Sequence, residues 1–141
     1  MTMDLRVISE GLAVAPQMQP EELAGLAEQG FAAVICTRPD GEEPGQPPLA
    51  AMRDAAAAAG LSFHHIPVAG GVYPPEAIAA FAAVRREAPG KVLAYCRTGT
   101  RAVTLDALAN VEGLPAATRI ARAKAAGYDL SPLAERLEAG T

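Results

Sequence analysis

Two apolar runs, "FAAVICT" (31–37) and "KVLAYC" (91–96), constrain the fold of this chain most. Neither alternates apolar with polar residues, as a strand with one wet face would, so each is expected to be a strand buried on both faces. Around them lie helical stretches bounded by Pro and Gly. "GLAVAP" (11–16) reads as a first short strand, and "PEELAGLAEQG" as a helix with Pro20 near its start and Gly30 as its stop. "RPDGEEPGQPP" is a polar loop, residues 49–59 are alanine-rich and stop at Gly60, and "LSFHHIPV" is the next strand. "PPEAIAAFAAVRREAPG" sets Ala77, Ile78, Phe81 and Val84 at helical spacing before "KVLAYC" returns to the sheet as the final strand. "VTLDALANV", "PAATRIARAKAAG" and "SPLAERLEA" read as three closing helices, the last capped by Ser131 with Pro132 at its first position. Strands alternating with helices predict an α/β fold with a mostly parallel central sheet flanked by helices, in a single domain over residues 1–141.

Composition narrows the function. The 141 residues suffice for a real core; half are apolar, 20% are charged, and no run of eighteen apolar residues exists, so no membrane partner is expected. The stretch "MTMDLRVISEGLAV" carries Asp4, Arg6 and Glu10 and no cleavage pattern, which makes the cytoplasm the expected compartment. A net charge of −4 without a basic, aromatic-studded stripe argues against nucleic acid, so any anion site must be local. The two cysteines, Cys36 and Cys96, are too few for a disulfide framework and lack CxxC spacing or nearby paired histidines. Both are expected as reduced thiols, with no metal or organic cofactor.

In parallel sheets, sites gather at the carboxyl ends of the strands, and Cys96 sits at such an end. "CRTGTRA" (96–102) then reads as a strand-to-helix turn in which Gly99 takes a positive φ and the N–H groups of Arg97, Thr98, Gly99, Thr100 and Arg101 form an anion-binding nest. The helix starting near Arg101 adds its positive end. These donors favour a thiolate, which makes Cys96 the candidate nucleophile and Arg101 a bidentate fork for an oxyanion. Arg97 is a candidate steering contact or a solvent-facing loop residue, and Thr98 and Thr100 contribute backbone N–H groups. Cys36 ends a strand expected beside that of Cys96; packing is the simpler reading, a resolving thiol the alternative. His64 and His65 alternate across a strand, so at most one faces a given side, and both read as structural.

The order "GLAVAPQ", "GFAAVICTRPDGEEPGQP", "FHHIPVAGG", "VLAYCRTGTRA" and "AKAAGYDL" resembles the phosphatase-like domain of beta-lactamase-hydrolase-like proteins, a family also described as sulfur transferases. The resemblance covers nearly the whole chain, and "RPDGEEPGQ" and "CRTGTR" are its most specific parts. It implies a protein tyrosine phosphatase-like fold of the dual-specificity type, with Cys96 in the nucleophile position and Arg101 in the anion-binding position. Some family versions are fused to a metallo-beta-lactamase-like persulfide dioxygenase and linked to sulfide detoxification; for this chain such a partner would be separate.

Departures from tyrosine phosphatases matter as much. Those enzymes carry His-Cys, five residues and Arg, usually then Ser or Thr; this chain has Tyr95 before Cys96, four residues between Cys96 and Arg101, and Ala102 next. The shorter loop resembles that of rhodanese-type sulfur transferases, whose cysteine carries a persulfide. Expelling an alkoxide from phosphorus also needs a proton donor, and "AGGVYPPE" has no aspartate where a dual-specificity phosphatase usually puts one. Asp40, with Glu42 and Glu43 nearby in "RPDGEEPGQ", is the candidate substitute acid, a solvated surface loop being the alternative. Arg38 reads as a further cationic contact or an exposed arginine. The expected function is therefore a cysteine-dependent enzyme. The favoured reading is sulfur transfer from a small sulfur donor through a Cys96 persulfide. Its alternative is hydrolysis of a phosphorylated substrate through a thiophosphoryl intermediate, and a third reading is a non-catalytic anion-binding or redox-sensing module.

Overall fold

Alternate side chains of the central strands enter two different cores. In the computed structural model, which describes residues 4–139, one sheet contains β1 (Arg6–Ser9), β2 (Leu12–Ala15), β3 (Phe31–Cys36), β4 (Ser62–His65) and β5 (Lys91–Tyr95), in spatial order β1-β2-β5-β3-β4. β5 pairs in parallel with β2 on one side and β3 on the other, and β3 pairs in parallel with β4. The mostly parallel sheet is as the sequence predicts. The edge strand β1, antiparallel to β2, is an addition to the strands that the sequence predicts. Its "RVIS" has no apolar run to announce it: Val7 is 71% exposed, Ile8 packs on the core, and antiparallel pairing with β2 completes the strand.

The helices are α1 (Leu23–Glu28), entered through a 3-10 turn over Pro20–Glu22, α2 (Leu49–Ala58), α3 (Pro75–Glu87), α4 (Thr100–Ala109), α5 (Ala116–Ala125) and α6 (Ala134–Ala139). On one sheet face Ala15, Val34, Cys36, Leu93 and Tyr95 pack with Leu23 and Leu26 of α1 and Met52 of α2. On the other, Val14, Ile35, Val92 and Ala94 pack with Phe81 of α3 and Val103 and Leu105 of α4. Both parities of β3 and β5 are thus apolar because both are buried, each large side chain contributing about 1.5–3 kcal/mol. Of the positions expected on the buried stripe of α3, Ile78 is only partly covered. Ser131 is not a helix cap. It begins a 3-10 turn before α6, and its N–H and hydroxyl both donate to Asp129 Oδ1, at 3.0 and 2.6 Å, so a carboxylate two residues upstream takes the capping role.

Because β2, β3, β4 and β5 run in parallel, the segments leaving their carboxyl ends share one edge. Backbone hydrogen bonds lace them together: Gln17 N–H to Arg97 O (3.2 Å), Thr37 N–H to Tyr95 O (2.9 Å) and Val68 N–H to Thr37 O (3.1 Å). Among the described residues no helix is long and apolar enough to cross a membrane.

Candidate active site

Cys96 follows β5 directly and is 1% exposed, at the floor of the loop that enters α4. Gly99 is the N-cap of α4 with φ of 98°, and this left-handed turn aims its N–H at Cys96 Sγ, 3.1 Å away. The ten-residue α4 adds its positive end. A second constraint requires glycine here: a Cβ at residue 99 would overlap the Tyr128 hydroxyl. That hydroxyl donates to Thr98 O at 3.0 Å, tying the loop to the segment after α5. Arg6 lies over the Tyr128 ring at 5.2 Å and donates to Ala126 O at 3.2 Å, so the edge strand braces the brace. Burial pushes the Tyr128 phenol up, keeping it a donor. Thr98 and Thr100 are exposed, with hydroxyls 3.0 Å apart, and the Thr100 N–H leans on Thr98 Oγ1 at 3.4 Å.

Arg101, in the first turn of α4, turns its fork toward the loop after β3. Its Nη1 donates to Glu42 Oε2 and its Nη2 to Glu42 Oε1, both at 2.8 Å, while Nη1 also donates to Val68 O at 3.0 Å. A carboxylate of the chain itself therefore fills the bidentate position that an oxyanion would take. Glu42 Oε1 also accepts from Arg38 Nε at 2.8 Å. Hydrogen bonds from Arg101, partly opposed by burial and reinforced by Arg38, pull the Glu42 carboxyl down to about 2.

Arg38 is neither exposed nor a free cationic contact: at 1% exposure it is a buried hub. Its Nη1 donates to Gln17 Oε1 at 2.9 Å and its Nη2 pairs with Glu43 Oε1 at 2.7 Å, so residues after β2 and β3 meet on one guanidinium. His65 Nε2 lies 2.8 Å from Arg38 O, which makes this histidine a support of the loop, while His64 Nε2 meets Ser62 Oγ at 3.0 Å. Arg97 is 65% exposed and 3.6 Å from Glu43 Oε2, at the rim.

The structure thus brings Cys96, Arg97, Thr98, Gly99, Thr100 and Arg101 together and gives Asp40 other work. Asp40 Oδ1 accepts the Leu49 N–H at 3.0 Å, at the start of α2. The loop over residues 40–45 is exposed, as the surface reading has it, and ion pairs from Glu42 and Glu43 to Arg38, Arg97 and Arg101 fix it over the site. Cys36 shares the α1/α2 face with Tyr95, whereas the parity of β5 sends Cys96 to the opposite face, and Cys36 Sγ–H donates to Arg38 O at 3.3 Å. Cys36 is buried among the apolar side chains of that face, and burial pushes its thiol up. Sequence reasoning assigned no role to Glu42, Gln17 or Tyr128. The one signal available was charge complementarity between "DGEE" and "CRTGTR" at the same sheet edge.

Comparison with known proteins agrees with this arrangement. Residues 4–113 match the family model described as "Beta-lactamase hydrolase-like protein, phosphatase-like domain". A beta-lactamase hydrolase-like protein of Agrobacterium fabrum is 45% identical over 101 residues, 72% of this chain but 23% of that protein, so the chain spans about a quarter of such relatives. A crystal structure from Neisseria meningitidis, described as a candidate phosphatase, superposes with a TM-score of 0.86 at 35% identity, covering 99% of this chain and 100% of that one. Tk-PTP in its active form superposes at 0.70 with 20% identity, over 97% and 95% of the two chains, which speaks to fold alone. The fold is thus of the protein tyrosine phosphatase type, and the chain belongs to the phosphatase-like domain family of beta-lactamase hydrolase-like proteins.

Proposed function

We propose that this chain is a cysteine-dependent phosphohydrolase. The observation that carries the reading is Cys96 Sγ on the Gly99 N–H at the start of α4, within reach of the Arg101 guanidinium. In the reaction Cys96 attacks phosphorus, Arg101 and the loop N–H groups hold the phosphoryl oxygens, and water then releases phosphate from the thiophosphoryl intermediate. The family's description and the candidate-phosphatase designation of the Neisseria meningitidis relative support it. Bound phosphate takes over the hydrogen bonds that Glu42 now makes to Arg101.

A second reading rests on one specific feature, the four residues between Cys96 and Arg101 with an N–H directed at the sulfur itself. Such a loop suits sulfur transfer: Cys96 takes a sulfur atom from a sulfane donor, holds it as a persulfide, and passes it to an acceptor thiol. A separate persulfide dioxygenase would then be a natural partner.

One experiment separates them. Purified protein is incubated with thiosulfate or glutathione persulfide and read by intact mass, while phosphate release from 4-nitrophenyl phosphate is followed in parallel, with Cys96→Ser as control. Cys96-dependent phosphate release without a gain of one sulfur is the expected result. A stable added sulfur without phosphate release reverses the order, and neither signal leaves an anion-binding or redox-sensing module.

A further inference from the structure

The carbonyl of Thr98 and the N–H of Gly99 belong to one trans peptide unit, so they point to opposite sides of a single rigid plane. The N–H meets Cys96 Sγ at 3.1 Å, and the carbonyl accepts the Tyr128 hydroxyl at 3.0 Å. Neither contact can turn without the other. Gly99, at φ of 98°, has no Cβ to resist rotation of that plane, so the residue that permits the turn also permits its reversal. A reversed plane would set the Thr98 carbonyl oxygen against the sulfur in place of an N–H, and an acceptor there disfavours a thiolate as a donor favours it.

Tyr128 is itself held from two directions. At the end of α5, Gly127 takes φ of 99° and its N–H donates to Lys124 O at 2.9 Å, while the Tyr128 N–H donates to Ala123 O at 2.8 Å. This paired helix ending fixes the backbone from which the phenol projects. From β1, the Arg6 guanidinium lies 5.2 Å from the centre of the ring and donates to Ala126 O.

We propose that Tyr128 is a positioning residue for the Cys96 nucleophile: by holding the Thr98 carbonyl on its own side of the peptide plane, it keeps the Gly99 N–H on the sulfur and so favours the thiolate. The bond to the carbonyl also polarises the shared amide, which strengthens its N–H as a donor. Arg101 of α4 and Cys36 of β3 also act on Cys96, and both stay in place when the Tyr128 hydroxyl is removed. The inference goes beyond the phosphohydrolase reading, because it concerns the thiol itself and holds whether Cys96 attacks phosphorus or sulfur.

The test is the rate at which iodoacetamide, an uncharged reagent, alkylates Cys96 in the wild-type chain and in Tyr128→Phe, from about pH 5 to about pH 10, a range that spans ordinary thiol ionisation. Mass analysis of the Cys96 peptide keeps Cys36 out of the reading. The phenylalanine keeps a ring under Arg6 and removes one hydrogen bond, too little to unfold a domain, and a thermal melt of each protein checks this. Thiolate is the reacting form, so the variant is expected about tenfold slower at the acid end, the scale of one hydrogen bond to a charged group, with the gap closing as pH rises. A brace that serves packing alone gives the opposite sign: Cys96 is 1% exposed, so a loosened loop would admit the reagent and speed alkylation at every pH. Faster alkylation would overturn the proposal, as would equal rates throughout or a deficit that does not change with pH.

Discussion

Glu42→Gln removes the one carboxylate shared by the two arginines, and its cost follows from the geometry. The fall of the Glu42 carboxyl from its ordinary 4.5 to about 2 caps its contribution at roughly 3.4 kcal/mol. The side chain is 28% exposed, so solvent screening reduces that to about 1–2 kcal/mol at pH 7. A carboxyl whose folded value is depressed stabilises fully above its unfolded value and loses the contribution as pH falls toward the folded one. The window is therefore about pH 4.5 down to 2, and at pH 3 roughly 40% remains. Urea titrations of wild type and variant at the two pH values measure this. The expected midpoint difference is about 0.5–1 M at pH 7 and under half of that at pH 3. Equal differences at both pH values would refute the electrostatic argument and leave only packing; no difference at pH 7 would refute the pairing. The substitution also removes the charge that competes for the Arg101 fork, so inorganic phosphate is expected to inhibit the variant at lower concentration than the wild type.

Other perturbations test the loop. Gly99→Ala places a Cβ against the Tyr128 hydroxyl in a φ of 98°, and is expected to cost about 2 kcal/mol or more, lowering Tm by roughly 5–10 °C in calorimetry; a loss below about 0.5 kcal/mol would refute the clash. Tyr128→Phe removes the bond to Thr98 O and is expected to cost about 0.5–1.5 kcal/mol by urea denaturation. Combined with Gly99→Ala, it should cost less than the two losses added, since the overlapping oxygen is gone. Cys36→Ala is expected to keep Cys96-dependent phosphate release; loss of turnover in a folded variant would return Cys36 to the site.

The sheet and the Cys96 loop were legible because their causes are local. Unalternated apolar runs in "FAAVICT" and "KVLAYC" announce strands covered on both faces, and a glycine three residues after a cysteine at a strand end announces the turn. Strand β1 stayed hidden because nothing in "RVIS" distinguishes an edge strand from a loop until β2 pairs with it. Ser131 misled because a local rule for caps ignores a stronger acceptor two residues before it.

By itself, then, the sequence determined the α/β order, the parallel sheet, and a thiol and a guanidinium on one turn. Those features depend on periodicity and on neighbours a few residues apart. Only the tertiary structure decided what faces them. The Arg101–Glu42 pair joins residues 59 positions apart, Tyr128 reaches 30 positions back to Thr98, and Arg38 reaches 21 back to Gln17. Residues so far apart meet because parallel pairing delivers four strand ends to one edge, where a loop with no periodicity finds the charges that hold it.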